Sequence, residues 1–239
     1  DYNGDFNEIK NNLNQCIEAI TELIRDSNML SEAAVQGKLD TRADAEKHQG
    51  DFGKIVKGVN DTLDAVIGPL NVAAEYVDRI SKGDMPDKIT DDYNGDFNEI
   101  KNNLNQCIDA INELIQDAFM LADAADKGKL DTRAEEKKHQ GDFQKIIVGI
   151  NNTLDGVIGP LNVAAEYIDS ISNRDIPETI TDDYKGDFNE IKNNMNQCVD
   201  ALNGLLEETG KLIRAVENKN LRVRGDLGRF QGGYRELIE

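Results

Sequence analysis

Three cysteines and two histidines are the side chains of this sequence best suited to nucleophilic, redox or metal chemistry, and their placement argues against all three. Cys16, Cys107 and Cys198 stand 91 residues apart, each closing a near-identical stretch: "DFNEIKNNLNQC" from Asp5 and Asp96, and "DFNEIKNNMNQC" from Asp187. None has a second cysteine nearby to form a CxxC pair or a local bridge, so reduced thiols in a cytosolic compartment are expected. His48 and His139 precede Gln-Gly-Asp without the clustered ligands of a zinc site. They read as solvated or locally bonded, and no acidic residue or distal proline follows to mark a kinase phosphoacceptor. Asp91-Asp92 and Asp182-Asp183 lack the spacing of a calcium loop and read as solvated charge pairs. No P-loop, GxSxG or HExxH occurs. The expectation is a chain that is not an enzyme, with no catalytic, cofactor-binding or metal-binding residues.

The composition points to long helices. Of 239 residues 38% are apolar, aromatics are 5%, tryptophan is absent and prolines number four, a profile that fits a sandwich or barrel poorly. Asp plus Glu total 46 against 27 for Lys plus Arg, and a formal charge of −19 repels phosphate backbones and anionic lipid surfaces. Neither nucleic acid nor direct membrane contact is expected of this segment. No apolar run approaches the roughly 18 to 20 residues needed to cross a bilayer. The chain begins in mid-repeat, so the expectation is a soluble, cytoplasmic piece of a longer protein that could itself be membrane anchored.

The 91-residue period divides again. Aromatic residues at Phe6, Phe52, Phe97, Phe143, Phe188 and Tyr234 are spaced 46, 45, 46, 45 and 46 residues apart. Two related units therefore alternate: an A type carrying "GDFNEIK" and a B type carrying "HQGDFGKIV" or "HQGDFQKII". Repetition at such a period marks a mechanical or binding unit.

After each aromatic the apolar positions follow steps of three and four. The run Phe97, Ile100, Leu104, Cys107, Ile111, Leu114 repeats Phe6, Ile9, Leu13, Cys16, Ile20, Leu23, and returns at Phe188, Ile191 and Cys198. This is a heptad seam, which predicts helices packing lengthwise in a dimer or bundle core, with the cysteines as small hydrophobes within it. In the B type the seam Phe52, Ile55, Val59, Leu63 contains two successive steps of four, a stutter that locally unwinds a left-handed coil, and Phe143 opens the second B copy. Pro69 and Pro160 follow at the junctions, where a kink or a fresh helix start is expected.

Connectors of about a dozen residues link the helices. Each carries two apolar anchors four apart: Leu39 and Ala43, Met85 and Ile89, Leu130 and Ala134, Ile176 and Ile180. A connector so anchored can run back along a helix pair, making the flanking helices parallel, and Gly37 and Gly128 read as helix stops. Asp5, Asp51, Asp96, Asp142 and Asp187 read as N-caps. Glu8, Glu99 and Glu190 complete capping boxes, while Lys54 and Lys145 take that position in B units, whose helix starts should be less firmly fixed.

These residues resemble tandem HAMP domains, over essentially the whole chain. The family pattern is a first helix with proline near its start, a glycine-containing connector with two apolar anchors, and a second helix opened by an acidic residue with an asparagine further along. Here the proline matches Pro69 and Pro160, the acidic residue matches Asp5, Asp51, Asp96, Asp142 and Asp187, and the asparagine matches Asn14, Asn60, Asn105, Asn151 and Asn196. The departures are Asp for the family's usual Glu, a following small Gly that survives only as Gly53, Arg174 and Lys219 for connector glycines, and Gly233 at the last acidic position.

The resemblance implies an all-α fold of stacked parallel homodimeric four-helix coiled-coil bundles forming an elongated rod. It divides the chain into the second helix of a truncated unit (1–20), a B unit (21–66), an A unit (67–112), a B unit (113–157), an A unit (158–203) and a B unit truncated in its second helix (204–239). It implies a signal-relay module, as in the cytoplasmic region of a bacterial methyl-accepting chemotaxis protein, passing a change of helix rotation or packing from a sensor to an output domain. The implied partners are a second copy of the chain and neighbouring sensor and output domains. The other reading the residues leave open is a passive helical spacer or protein-binding solenoid scaffold.

Overall fold

The computed structural model describes residues 4–239; residues 1–3, at the start of the truncated unit expected at 1–20, lie outside them. Five long helices carry the chain: α1 (Asp5–Val35), α2 (Asp51–Ser81), α3 (Gly95–Asp126), α4 (Gly141–Ser172) and α5 (Asp187–Glu217), followed by the short α6 (Gly232–Ile238). Among the described residues there is no strand, so the all-α class is observed. Each long helix spans 31 or 32 residues, and the unit divisions expected after residues 66, 112, 157 and 203 all fall inside one of them.

The helices stop where the sequence says they should. Gly37, Gly83 and Gly128 adopt φ of 72°, 77° and 69°, the left-handed turn that a side chain disfavours. The amide three residues beyond each helix then reaches back, Lys38 N–H to Ala33 O at 2.8 Å and Lys129 N–H to Ala124 O at 2.8 Å. Arg174 and Lys219 hold the same turn at φ 68° and 58°, and the same bonds form there despite their side chains.

The helix starts differ from expectation. Gly4, Gly50 and Gly186 occupy the cap positions at φ 61°, 63° and 55°, and no side chain caps these ends. Asp5, Asp51 and Asp187 are instead the first helical residues, while Asp96 and Asp142 follow Gly95 and Gly141, which open α3 and α4. From inside the helix a carboxylate does not take the capping geometry, and its favourable effect is on the helix dipole. Lys54 and Lys145 offset their own unfavourable position by pairing with Asp51 and Asp142 at 2.9 and 2.8 Å. Both pairs are exposed and worth little.

Of the two expectations at Pro69 and Pro160, a kink or a fresh helix start, the second is corrected, because neither begins a new helix: α2 and α4 run through them. Proline removes one backbone hydrogen bond, and long helical stretches on either side carry the segment across that loss.

The chain forms two compact units, Asp1–Glu113 and Leu114–Glu239. In the first, α1 packs on α2 with residues 36–50 laid between them. Phe52, near the start of α2, lines one hollow with Gln15, Glu18 and Glu22 of α1. Val59 and Leu63, further along, line another with Leu30 and Ala34. Both helices therefore advance in the same direction, as the anchored connector predicts. In the second unit Leu121, Ala134 and Ile147 form a core with Leu114, Ile150 and Leu154 against it, and α5 packs on α4 and α6.

Candidate functional site: connectors and an open seam

Four of the five connectors are each fastened to the helix that follows by one asparagine. The side chain of Asn60 accepts from Ala43 N–H at 3.2 Å and donates to Ala43 O at 2.8 Å. Asn105 does the same to Ile89 (2.8 and 3.0 Å), Asn151 to Ala134 (3.1 and 3.0 Å) and Asn196 to Ile180 (2.7 and 3.0 Å). A primary amide is the side chain that can satisfy a backbone donor and acceptor together, as a strand neighbour would. The anchored residues Ala43, Ile89, Ala134 and Ile180 are all buried. The other expected anchors are more open: Leu39 and Leu130 are exposed, and Met85 and Ile176 half-buried.

The B connectors carry further bonds. Arg42 reaches Leu39 O and Thr41 O, both at 2.7 Å, and grips Asp64 of α2 at 2.7 and 2.9 Å; Arg133 repeats this with Leu130 O, Thr132 O and Asp155 of α4. A short 3-10 turn follows at Ala45–Lys47 and Glu136–Lys138.

The histidine ending each of those turns is neither solvated nor bonded to near neighbours. The His48 Nε2 lies 2.8 Å from Asp26 Oδ2 and the His139 Nε2 2.7 Å from Asp117 Oδ2, each across 22 residues, with both imidazoles 1% exposed. Sequence reasoning missed Asp26 and Asp117 altogether. The available signal was their shared place in the 91-residue repeat, where the next copy is Glu208.

The third B connector is built differently. Phe230 occupies the place of the histidines and is buried. Glu208, also buried, turns to the backbone: its Oε1 accepts from Asp226 N–H at 3.0 Å and from Lys211 Nζ at 2.8 Å. The Lys211 bond first, and the Asp226 amide after it, hold this carboxyl below its ordinary 4.5. Gly225 stands where Ala43 and Ala134 stand, and Ile238 fills the space a side chain there would need.

The predicted seam remains open in the single chain. Ile55 is 50% exposed while its neighbour Val56 is 4% exposed, and Ile146 is 45% exposed beside a fully covered Ile147. Cys107 and Cys198 are exposed beside buried Ile108 and Val199. Phe6, Ile9, Leu13, Cys16, Val59, Ile100 and Ile191 are exposed as well, and Phe52, Phe97, Leu104, Phe143 and Phe188 are half-buried. Each helix thus buries one face against its connector and neighbouring helix and presents an adjacent apolar face outward. Between α1 and α2 that face opens into a groove of about 400 Å³ lined by Leu23, Leu30, Ile55, Val59 and Leu63 among others.

Among the described residues no group of His, Cys, Asp or Glu is arranged to hold a metal ion, and no helix is long and apolar enough to cross a membrane. The family model described as HAMP domain matches residues 47–113 and 138–204, together more than half of the chain. Comparison with curated proteins and with solved structures gives no match.

Proposed function

The chain belongs to the HAMP domain family, whose members are signal-relay modules rather than catalysts, and from that premise we propose that it relays a change of helix packing through HAMP units in series. The units are those at 21–66, 67–112, 113–157, 158–203 and 204–239, with a truncated one at 1–20. The relay works as a parallel homodimer, each bundle taking two helices from each of two chains, in the cytoplasmic part of a chemoreceptor, between a sensor and an output domain. The two family matches each contain a whole A unit and only part of the B unit before it.

The observation that carries this reading is the open seam. An apolar face with heptad spacing, repeated on helices whose other face is buried, loses about 25 cal/mol for each Å² of apolar surface left in water. A second copy of the chain in register presents the same face at the same height, and so covers it. Continuous helices across the unit divisions support the relay itself: a turn imposed on α2 by one unit is delivered to the next by the same helix.

A and B units would then favour different packings, since the stutter and the different connector bonds set their seams at different phases. Light scattering on the whole chain tests the assembly: twice the chain mass is expected, whereas a stable monomer would favour the solenoid scaffold.

A further inference from the structure

The first two B connectors are held to both of their helices by directional bonds. Asn60 and the Arg42–Asp64 pair tie residues 36–50 to α2, and Asp26–His48 ties the same residues to α1. Asn151, Arg133–Asp155 and Asp117–His139 do the same for residues 127–140 between α3 and α4. His48 is itself placed by backbone bonds, its N–H donating to Ala45 O at 3.2 Å, so the ring is a fixed post and the aspartate is the part that travels with the incoming helix.

We propose that Asp26–His48 and Asp117–His139 are latches, which hold the incoming helix at one rotational position and open when that helix turns. The inference rests on the relay reading above and assigns its gating in B units to a named pair. A side-chain oxygen about 6 Å from a helix axis moves ~2.5 Å when the helix turns by about 25°. A bond of 2.8 Å cannot stretch that far and survive, so the pair is either made or broken, which is the behaviour of a two-state element.

The third B unit lacks the device. Its Phe230 offers no hydrogen bond, and Glu208 grips the Asp226 amide with help from Lys211 on its own helix. The chain therefore contains two B connectors latched by histidine and a third held to its incoming helix by Glu208 on a backbone amide and by Arg229 on Glu207.

Hydrogen exchange on the full chain, followed in residues 127–140, tests the latch. Asp117→Asn and His139→Phe should each speed exchange at Lys138 and His139 by about tenfold, and the double variant should add nothing further. Residues 36–50 of the same chain serve as the control. The triple variant Asp117→Glu, Met120→Lys, His139→Phe installs the arrangement of the third unit and should restore protection. Single variants within about twofold of the parent, or effects that multiply in the double, overturn the latch. Should the singles loosen every connector alike, the triple decides: restored protection upholds the latch and continued loss overturns it. Exchange reads each chain by itself. A monomer with the expected pattern would therefore sink the relay and keep the latch, and a dimer without it would sink the latch alone.

Discussion

Residues 36–50 and 127–140 carry a 3-10 turn, an arginine bridge to the following helix and a histidine bridge to the preceding one. Residues 82–94 and 173–186 carry none of these. They rest on the buried Ile89 and Ile180, the asparagine bonds, and Lys101 and Lys192 donating to Asp91 O and Asp182 O at 3.2 and 3.0 Å, and residues 82–94 add two exposed ion pairs, Lys88–Asp109 to the following helix and Arg79–Asp84 to the preceding one, both at 2.7 Å. Their ties to the preceding helix are single bonds, such as Tyr167 Oη to Glu178 O at 2.8 Å. Apolar contact is tolerant of small slides, whereas charged hydrogen bonds have narrow geometry. The contrast teaches where motion would be stored: both B connectors pin the incoming helix through a buried histidine, whereas the charged ties of the A connectors are exposed, so the B connectors resist a shifting helix more before a bond gives way.

The comparison can be broken most forcefully at the asparagines. Asn151 is buried and also donates to Glu136 at 3.3 Å, whereas Asn105 is half-buried. Asn151→Ala leaves a backbone donor and acceptor unpaired inside the protein and should cost about 3 kcal/mol; Asn105→Ala should cost about 2. Urea unfolding followed by exchange in each connector would rank them, and equal losses would erase the difference between Asn151 and the half-buried Asn60, Asn105 and Asn196.

A smaller effect separates the two latched B connectors. A Cβ on Gly53 would lie 2.8 Å from His48 O and 3.3 Å from Ala45 O, so Gly53→Ala should cost about 2 kcal/mol. Gln144 at the matching place already carries a side chain, and Gln144→Ala should fall within about 0.5 kcal/mol of the parent in the same unfolding measurement. Smaller again are the left-handed turns. Arg174→Gly and Lys219→Gly should each stabilise by about 1 kcal/mol, while Gly83→Arg should destabilise, read from thermal midpoints.

The gentlest probe is acid. Glu208 is held below its ordinary 4.5, so its bonds contribute fully above that value and are lost as pH falls through the lower folded one. Asp84 is lowered in the same sense by its hydrogen bond to Arg79 in an A connector, but that pair is largely exposed and matters less. Acidification below 4.5 should therefore loosen residues 218–231 before residues 82–94, as followed by exchange.

Much of this was legible in the residues. The heptad spacing located the helices, and the glycines after them located the stops, because a left-handed turn has a strong residue preference. The cap aspartates were misplaced by one or two positions, since glycine at positive φ took the cap of α1, α2 and α5 and opened α3 and α4, and the carboxylate moved into the first turn. Pro69 was read as a kink or a fresh helix start, and the fresh start is excluded because flanking helix outweighs a single lost bond. The Asp26–His48 pair was hidden for another reason: it joins two segments whose approach depends on the whole connector path. Only lining up the three repeats shows the acid and the ring changing together, to Glu208 and Phe230.

The central claim is that two copies lie side by side in the same direction with their seams facing. Mild oxidation of the intact protein tests it, because Cys16, Cys107 and Cys198 are exposed and repeat at one position of the proposed seam. The account predicts disulfides joining each cysteine to its own counterpart in a second chain, Cys107 to Cys107 above all. Bridges joining Cys16 to Cys198, or thiols that stay reduced in a chain of monomer mass, would contradict it.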